Sequence, residues 1–247
     1  MTTRKIDILG VKFDNYDFDT FYNNLLTRLD AGSSTMVVTA NPEIVMAANE
    51  NPLFMKLINE TADFVSPDGI GVVKAAKILN TPLKERVTGY DLFCNLLKAA
   101  NQRASKVYFV GAKEEVIQDL RKKVQAKYPQ IQIVGCENGY FKEDLEIVAR
   151  RIKKVEPDMV FSALGYPRQE QLLAILRKQD LPAIMMGVGG SFDVFSGHTK
   201  RAPKFYQNAH LEWLYRLLKE PSRLGRMLVL PRFVGEVYRE KRGRRRK

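Results

Sequence analysis

Six apolar runs, each set apart from the next by a helix-like stretch, leave this 247-residue chain few folds to choose from. They lie at 35–39 (TMVVT), 63–66, 106–110 (KVYFV), 131–135 (IQIVG), 158–163 (DMVFSA) and 183–188 (AIMMGV). A strand with one wet face alternates apolar and polar residues, and these runs do not. Near-continuous apolar strands belong in a parallel sheet covered on both sides, and parallel neighbours need a crossover helix. Segments near 17–31, 43–60, 69–79, 90–104, 113–127, 143–155 and 167–178 supply those helices. In 113–127 the apolar residues Val116, Ile117, Leu120 and Val124 share one face of a 3.6-residue period. The expected class is α/β, a mostly parallel Rossmann-like sheet flanked by helices.

The net charge of +12 is unevenly placed. Residues 199–247 hold 15 Lys/Arg against 4 Asp/Glu, while residues 1–198 hold 25 against 24. The expected division is a near-neutral body over 1–198 and a basic, amphipathic helical appendage over 199–247. Leu214, Leu217 and Leu218 share a face there, with Arg216 and Lys219 beside it, and Pro221 and Pro231 divide the appendage into three short helices. Basic helices carrying aromatic residues suit an anionic membrane surface, where each basic residue contributes ~1 kcal/mol. Nucleic acid is the rival partner, but the many large aliphatics favour lipid. A homodimer is a further way to bury them. No apolar run approaches the ~18 residues of a spanning helix, and the first residues lack a secretory pattern. Cys94 and Cys136 form no CxxC motif or disulfide framework. That cysteine usage suits a reducing cytoplasm, and the chain is expected to be soluble or attached to a membrane without crossing it.

Ligands of open α/β sheets bind beyond the carboxyl ends of the strands. Five turns stand there: 39–43 (TANPE), 66–69 (SPDG), 110–113 (VGAK), 164–170 (LGYPRQE) and 187–193 (GVGGSFD). Glycine lets backbone approach a ligand, and helix N-termini offer N–H groups to phosphate. Together the turns point to a nucleotide-type or phosphate-bearing ligand. Asp68 reads as a helix N-cap or as a general base, and local sequence leaves both open. Thr39 and Asn41 fit a strand end and a turn as well as they fit a ligand site. Arg86 is either a surface ion pair or a pyrophosphate ligand. His198 and His210 have no zinc spacing, so no metal centre and no cofactor are expected. Asp17-Phe18-Asp19 has the form of a metal-binding DxD, but at a helix start its expected role is capping. GxGxxG, GxxxxGK[ST] and GxSxG are all missing, which removes the dinucleotide, P-loop and nucleophile-elbow readings.

Taken in order, TANPEIV (39–45), SPDGIGVV (66–73), ERVTGYDL (85–92), YFVGAKEEV (108–116), ENGYF (137–141), LGYPRQE (164–170), GVGGSFDVFSG (187–197), KRAP (200–203) and LEWLYRLLKEP (211–221) resemble the WecG/TagA/CpsF glycosyltransferase family, glycosyltransferase family 26. The segments span almost the whole chain. The resemblance implies a metal-independent, inverting transfer of N-acetylmannosamine from UDP-ManNAc to the 4-hydroxyl of undecaprenyl-diphosphate-GlcNAc, with UDP-ManNAcA or UDP-glucose as alternative donors. It makes Asp68 the base, sets Thr39, Asn41 and Gln169 beside it, and gives Arg86 to the substrate. Residues 1–198 become the catalytic domain, and 199–247 a membrane-associating segment that completes the site. The donor is then expected across Gly111 or Gly187, Gly189 and Gly190, with Arg216, Arg223 or Arg232 as further cations. Two departures stand out. Ala40 replaces the first proline of the family's T-P-N-P-E, which predicts a looser turn, and Gln171-Leu172-Leu173 replaces an aromatic continuation after Gln169-Glu170.

Overall fold

The computed structural model describes residues 5–203, 205–206, 212, 214–215, 225 and 228–244. A hairpin of β1 (Ile6–Ile8) and β2 (Val11–Phe13) comes first. After it come β3 (Thr35–Ala40), β4 (Phe64–Pro67), β5 (Lys106–Gly111), β6 (Gln132–Glu137), β7 (Met159–Ala163) and β8 (Ile184–Gly187). These six form one parallel sheet in the order β4-β3-β8-β7-β5-β6. The helices are α1 (Phe18–Asp30), α2 (Pro42–Glu50), α3 (Pro52–Lys56), α4 (Ile70–Ile78), α5 (Gly89–Gln102), α6 (Glu114–Lys127), α7 (Leu145–Lys154), α8 (Arg168–Lys178), α9 (Ser191–Ser196) and, labelled α10 here, Val229–Arg244.

Strands β3, β5, β7 and β8 are dry on both faces, which is why they read as unbroken apolar runs, while the edge strand β6 is only partly buried. Val38, Val65, Val110, Val160 and Met185 pack beneath α2, α4, α7 and α8. Val37, Phe109, Phe161 and Met186 pack beneath α1, α5, α6 and α9. On that second face Phe93 meets Phe109, Phe161, Phe192 and Phe195 at centroid distances of 4.9 to 6.5 Å. At the amino edge, Asp63 gathers the Met36 N–H (2.8 Å), Arg28 (3.1 Å) and Arg177 (2.8 Å), tying α1, β3 and α8 together. Leu172 and Leu173 are fully buried, so the departure after Glu170 leaves α8 well seated.

Every expected strand is present within two residues of its expected limits. The helix expected over 43–60 is divided, because Asn51 closes α2 and its Oδ1 accepts from Leu53 and Phe54 N–H to start α3 at Pro52. A π-helical turn, Leu57–Thr61, follows. The expected break at Pro231 is corrected as well. Pro231 is the third residue of α10, in a first turn whose N–H groups have no helical partner anyway. Pro221, Leu217, Leu218 and Lys219 lie outside the described residues.

The α10 helix packs on α2 and α4, burying Phe233 and Val237 in the main core. Glu240 accepts the Leu9 N–H (3.1 Å), Arg244 donates to the Asp7 carbonyl (3.1 Å), and Arg232 pairs with Glu50. Among the described residues no helix is long and apolar enough to cross a membrane. Phe233→Ala should cost about 3 kcal/mol through the cavity it leaves. Urea denaturation reads that loss as a lower midpoint at an unchanged slope.

Candidate functional site

The carboxyl ends of β3 and β4 form the first part of the site. Thr39 is buried, and its hydroxyl donates to the Gly187 carbonyl (2.9 Å). Asn41 caps α2 by accepting the Ile44 N–H at Oδ1 (3.0 Å). The Asp68 N–H donates to the Ala40 carbonyl (3.0 Å). Ala40 is fully buried and in register with Pro67, so the expected loosening is not found. Gly69, at φ 115°, holds the N-cap position of α4, which puts the half-buried Asp68 one residue outside that cap. A Cβ on Gly71 would lie 2.7 Å from Pro42 Cγ. That close approach brings the starts of α2 and α4 together, and with them Asn41 and Asp68.

The start of α5 is the second part. Thr88 accepts the Asp91 N–H (3.1 Å) and donates its hydroxyl to Asp91 (2.6 Å). A Cβ on Gly89 would stand 3.0 Å from Thr39 Cγ2, so α5 is seated directly on Thr39. Arg86, just upstream, pairs with Glu212 at 3.5 Å, and the two side chains are only 17% and 23% exposed. Arg201 pairs with Asp91 (2.8 Å) and lies over the Tyr90 ring at 4.7 Å. Residues from both sides of position 199 thus meet at this corner.

The β8 turn is the third. A Cβ on Gly187 would be 2.8 Å from Gln169 Nε2, and Gln169 is 3% exposed. Its amide donates to Glu170 Oε1 (2.7 Å) and accepts the Gly189 N–H (3.3 Å). Glu170 is 1% exposed, and its Oε2 has no hydrogen-bond partner among the described residues. Burial pushes its carboxyl up to about 7. Beyond this clamp, a Cβ on Gly189 or Gly190 would meet nothing within 4 Å, so that part of the turn borders open space.

Gly111 is different. A Cβ there would come within 2.4 Å of the Ala163 backbone, so this glycine satisfies strand packing. Arg168 donates to the Gly139 and Phe141 carbonyls (2.9 and 3.0 Å) and lies 4.2 Å from the Phe141 ring centroid, fixing the neighbouring loop. Arg232 is not brought to this edge. Its partner Glu50 ends α2, about 13 Å of helix away from Asn41. Arg216 and Arg223 lie outside the described residues. Asp17 caps α1 by accepting the Thr20 N–H (2.8 Å), and His198 pairs with Asp119 (3.0 Å). Among the described residues no three His, Cys, Asp or Glu side chains are grouped to hold a metal ion.

Sequence reasoning passed over Glu170, Glu212 and Arg168. The Thr88–Asp91 spacing was the one local signal of a cap at this corner.

The model of the glycosyl transferase WecG/TagA/CpsF family matches residues 6–247. A Bacillus spizizenii (strain W23) protein is 44% identical over 243 residues, 98% of this chain and 93% of its own length. A Bacillus subtilis (strain 168) protein is 40% identical over 96% of this chain and 93% of its own length. For a Staphylococcus aureus (strain MW2) protein the figures are 39%, 97% and 94%. Each of the three is named N-acetylglucosaminyldiphosphoundecaprenol N-acetyl-beta-D-mannosaminyltransferase.

Glu170 gives a pH signature. Its carboxyl is raised from 4.5 to about 7, so the stability it leaves intact below pH 4.5 is lost as pH climbs toward 7. Glu170→Gln should therefore raise the melting temperature at pH 8, by the equivalent of up to about 3 kcal/mol. Thermal scans should show that gain shrinking toward pH 5.

Proposed function

The chain belongs to the WecG/TagA/CpsF family of glycosyl transferases, and from that premise we propose its reaction: transfer of N-acetylmannosamine from UDP-ManNAc to the 4-hydroxyl of GlcNAc-diphospho-undecaprenol. The product is the ManNAc(β1→4)GlcNAc linkage unit of wall teichoic acid. The names carried by near-full-length relatives at 39 to 44% identity support acceptor and sugar alike. One observation carries the mechanism: Asp68 stands outside the α4 cap at the β4 carboxyl end, next to the Asn41 turn and level with the β8 turn.

In this reading the donor lies along the open side of Gly189–Gly190. Asp68 takes the proton of the acceptor's 4-hydroxyl as that oxygen attacks the anomeric carbon from the face opposite UDP. The bond from that carbon to the diphosphate oxygen breaks, and UDP leaves with the electron pair. Negative charge grows on the diphosphate, and Arg86 meets it with a preorganised guanidinium. Thr39 and Gln169 work on the turn itself, since each is hydrogen-bonded to it. Asn41 holds the start of α2 with Oδ1 and offers its amide to the sugars. On α10, Val234 and Tyr238 are about half exposed beside exposed Arg239 and Arg242, a surface suited to an anionic bilayer at the cytoplasmic face.

Asp68→Asn should lower turnover of a GlcNAc-diphospho-lipid by about 100-fold or more at an unchanged circular dichroism spectrum. Near-normal disaccharide formation, read by mass, would remove Asp68 from the base role. The same assay with UDP-ManNAc, UDP-ManNAcA and UDP-glucose separates the donors. Replacing Arg239, Arg242, Arg245 and Arg246 with Gln should weaken binding to phosphatidylglycerol vesicles by roughly 100-fold or more. Unchanged co-sedimentation would sink the membrane assignment.

A further inference from the structure

The buried carboxyl of Glu170 has no place in the transfer chemistry, yet it sits under the turn that chemistry uses. Glu170 is the third residue of α8 and is 1% exposed. One of its oxygens accepts the Gln169 amide N–H at 2.7 Å, and the other has no partner among the described residues. A carboxyl held this way is expensive, because burial disfavours its charged form and half of its hydrogen-bonding capacity goes unused. A leucine of similar size would pack there at no such cost. What the carboxyl does supply is an acceptor for Gln169 Nε2. An amide with one end fixed cannot flip, so Oε1 is the end presented to the Gly189 N–H, 3.3 Å away. Gly187 has no side chain to push the amide aside, since a Cβ there would come within 2.8 Å of Nε2.

We propose that Glu170 is a positioning residue: by fixing the Gln169 amide it holds the Gly187–Gly190 turn in the shape that receives the donor's phosphates. The inference rests on the reading of that turn as the donor's seat. Glu170 touches neither substrate, and its influence passes through one amide.

Two variants and two readouts test this on the full chain. Glu170→Gln keeps an acceptor for Gln169 Nε2, and Glu170→Leu removes it while filling the space. Calorimetry with UDP as the probe should show affinity within about twofold of wild type for Gln and about tenfold weaker for Leu, at a thermal midpoint no lower than wild type. Amide hydrogen exchange should show the Gly189 N–H exchanging roughly tenfold faster in Leu and unchanged in Gln. Unchanged Gly189 exchange in Glu170→Leu overturns the clamp whatever UDP does, and so does faster exchange with unchanged UDP affinity. If the wild type itself binds no UDP while Leu still frees Gly189, the clamp stands and the donor-site reading falls. A Leu variant that loses UDP binding only by unfolding shows as a fallen midpoint with fast exchange throughout, and that result also overturns a role confined to the turn.

Discussion

The site depends on a joint between two strands. β3 and β8 are paired only from Thr35 to Val37, and past that point the Thr39 hydroxyl takes over by donating to the Gly187 carbonyl. β3 and β4 lie on one side of this joint, and β8, β7, β5 and β6 lie on the other. The side with β3 and β4 carries Asn41 and Asp68, and the other carries the glycine turn. One buried hydroxyl therefore continues the strand ladder up to the level of the proposed base and the proposed donor seat. A buried polar pair of this kind weakens the protein badly if half of it is lost, which helps keep the geometry single-valued.

Glycines along this edge do different jobs, although in sequence they look alike. Gly71 and Gly89 let α4 and α5 close on Pro42 and Thr39, Gly187 makes room for an amide, and Gly111 lets two strand ends touch. Gly165, Gly189 and Gly190 border open space. The others bring the walls of the edge together.

Much of this was legible in the residues. Most strands and helices could be placed because burial on both faces leaves an unmistakable apolar run. The β1–β2 hairpin escaped notice since three-residue strands are too short to show a period. Asn51 was hidden inside an apolar helical pattern that continued beyond it, and only its capping of two helix ends reveals the break. Thr39, Asn41 and Asp68 could be placed at the carboxyl edge of the sheet because turn chemistry and strand order locate that edge together. Glu170 could not. An acid following Arg168 and Gln169 on a helix reads as solvent-facing, and its burial arises from tertiary contacts with no local trace.

The seating of α10 has one more consequence. It rests on α2 and α4, whose N-terminal ends adjoin Asn41 and Asp68. A basic segment on a loose tether would let the carboxyl edge of the sheet face any direction and would set its reach only on average. A helix bolted through Phe233 and Val237 to those two helices behaves as a bracket. The angle between the outer side of that helix and the carboxyl edge of the sheet is fixed by packing, as a tool's angle is fixed by its mount.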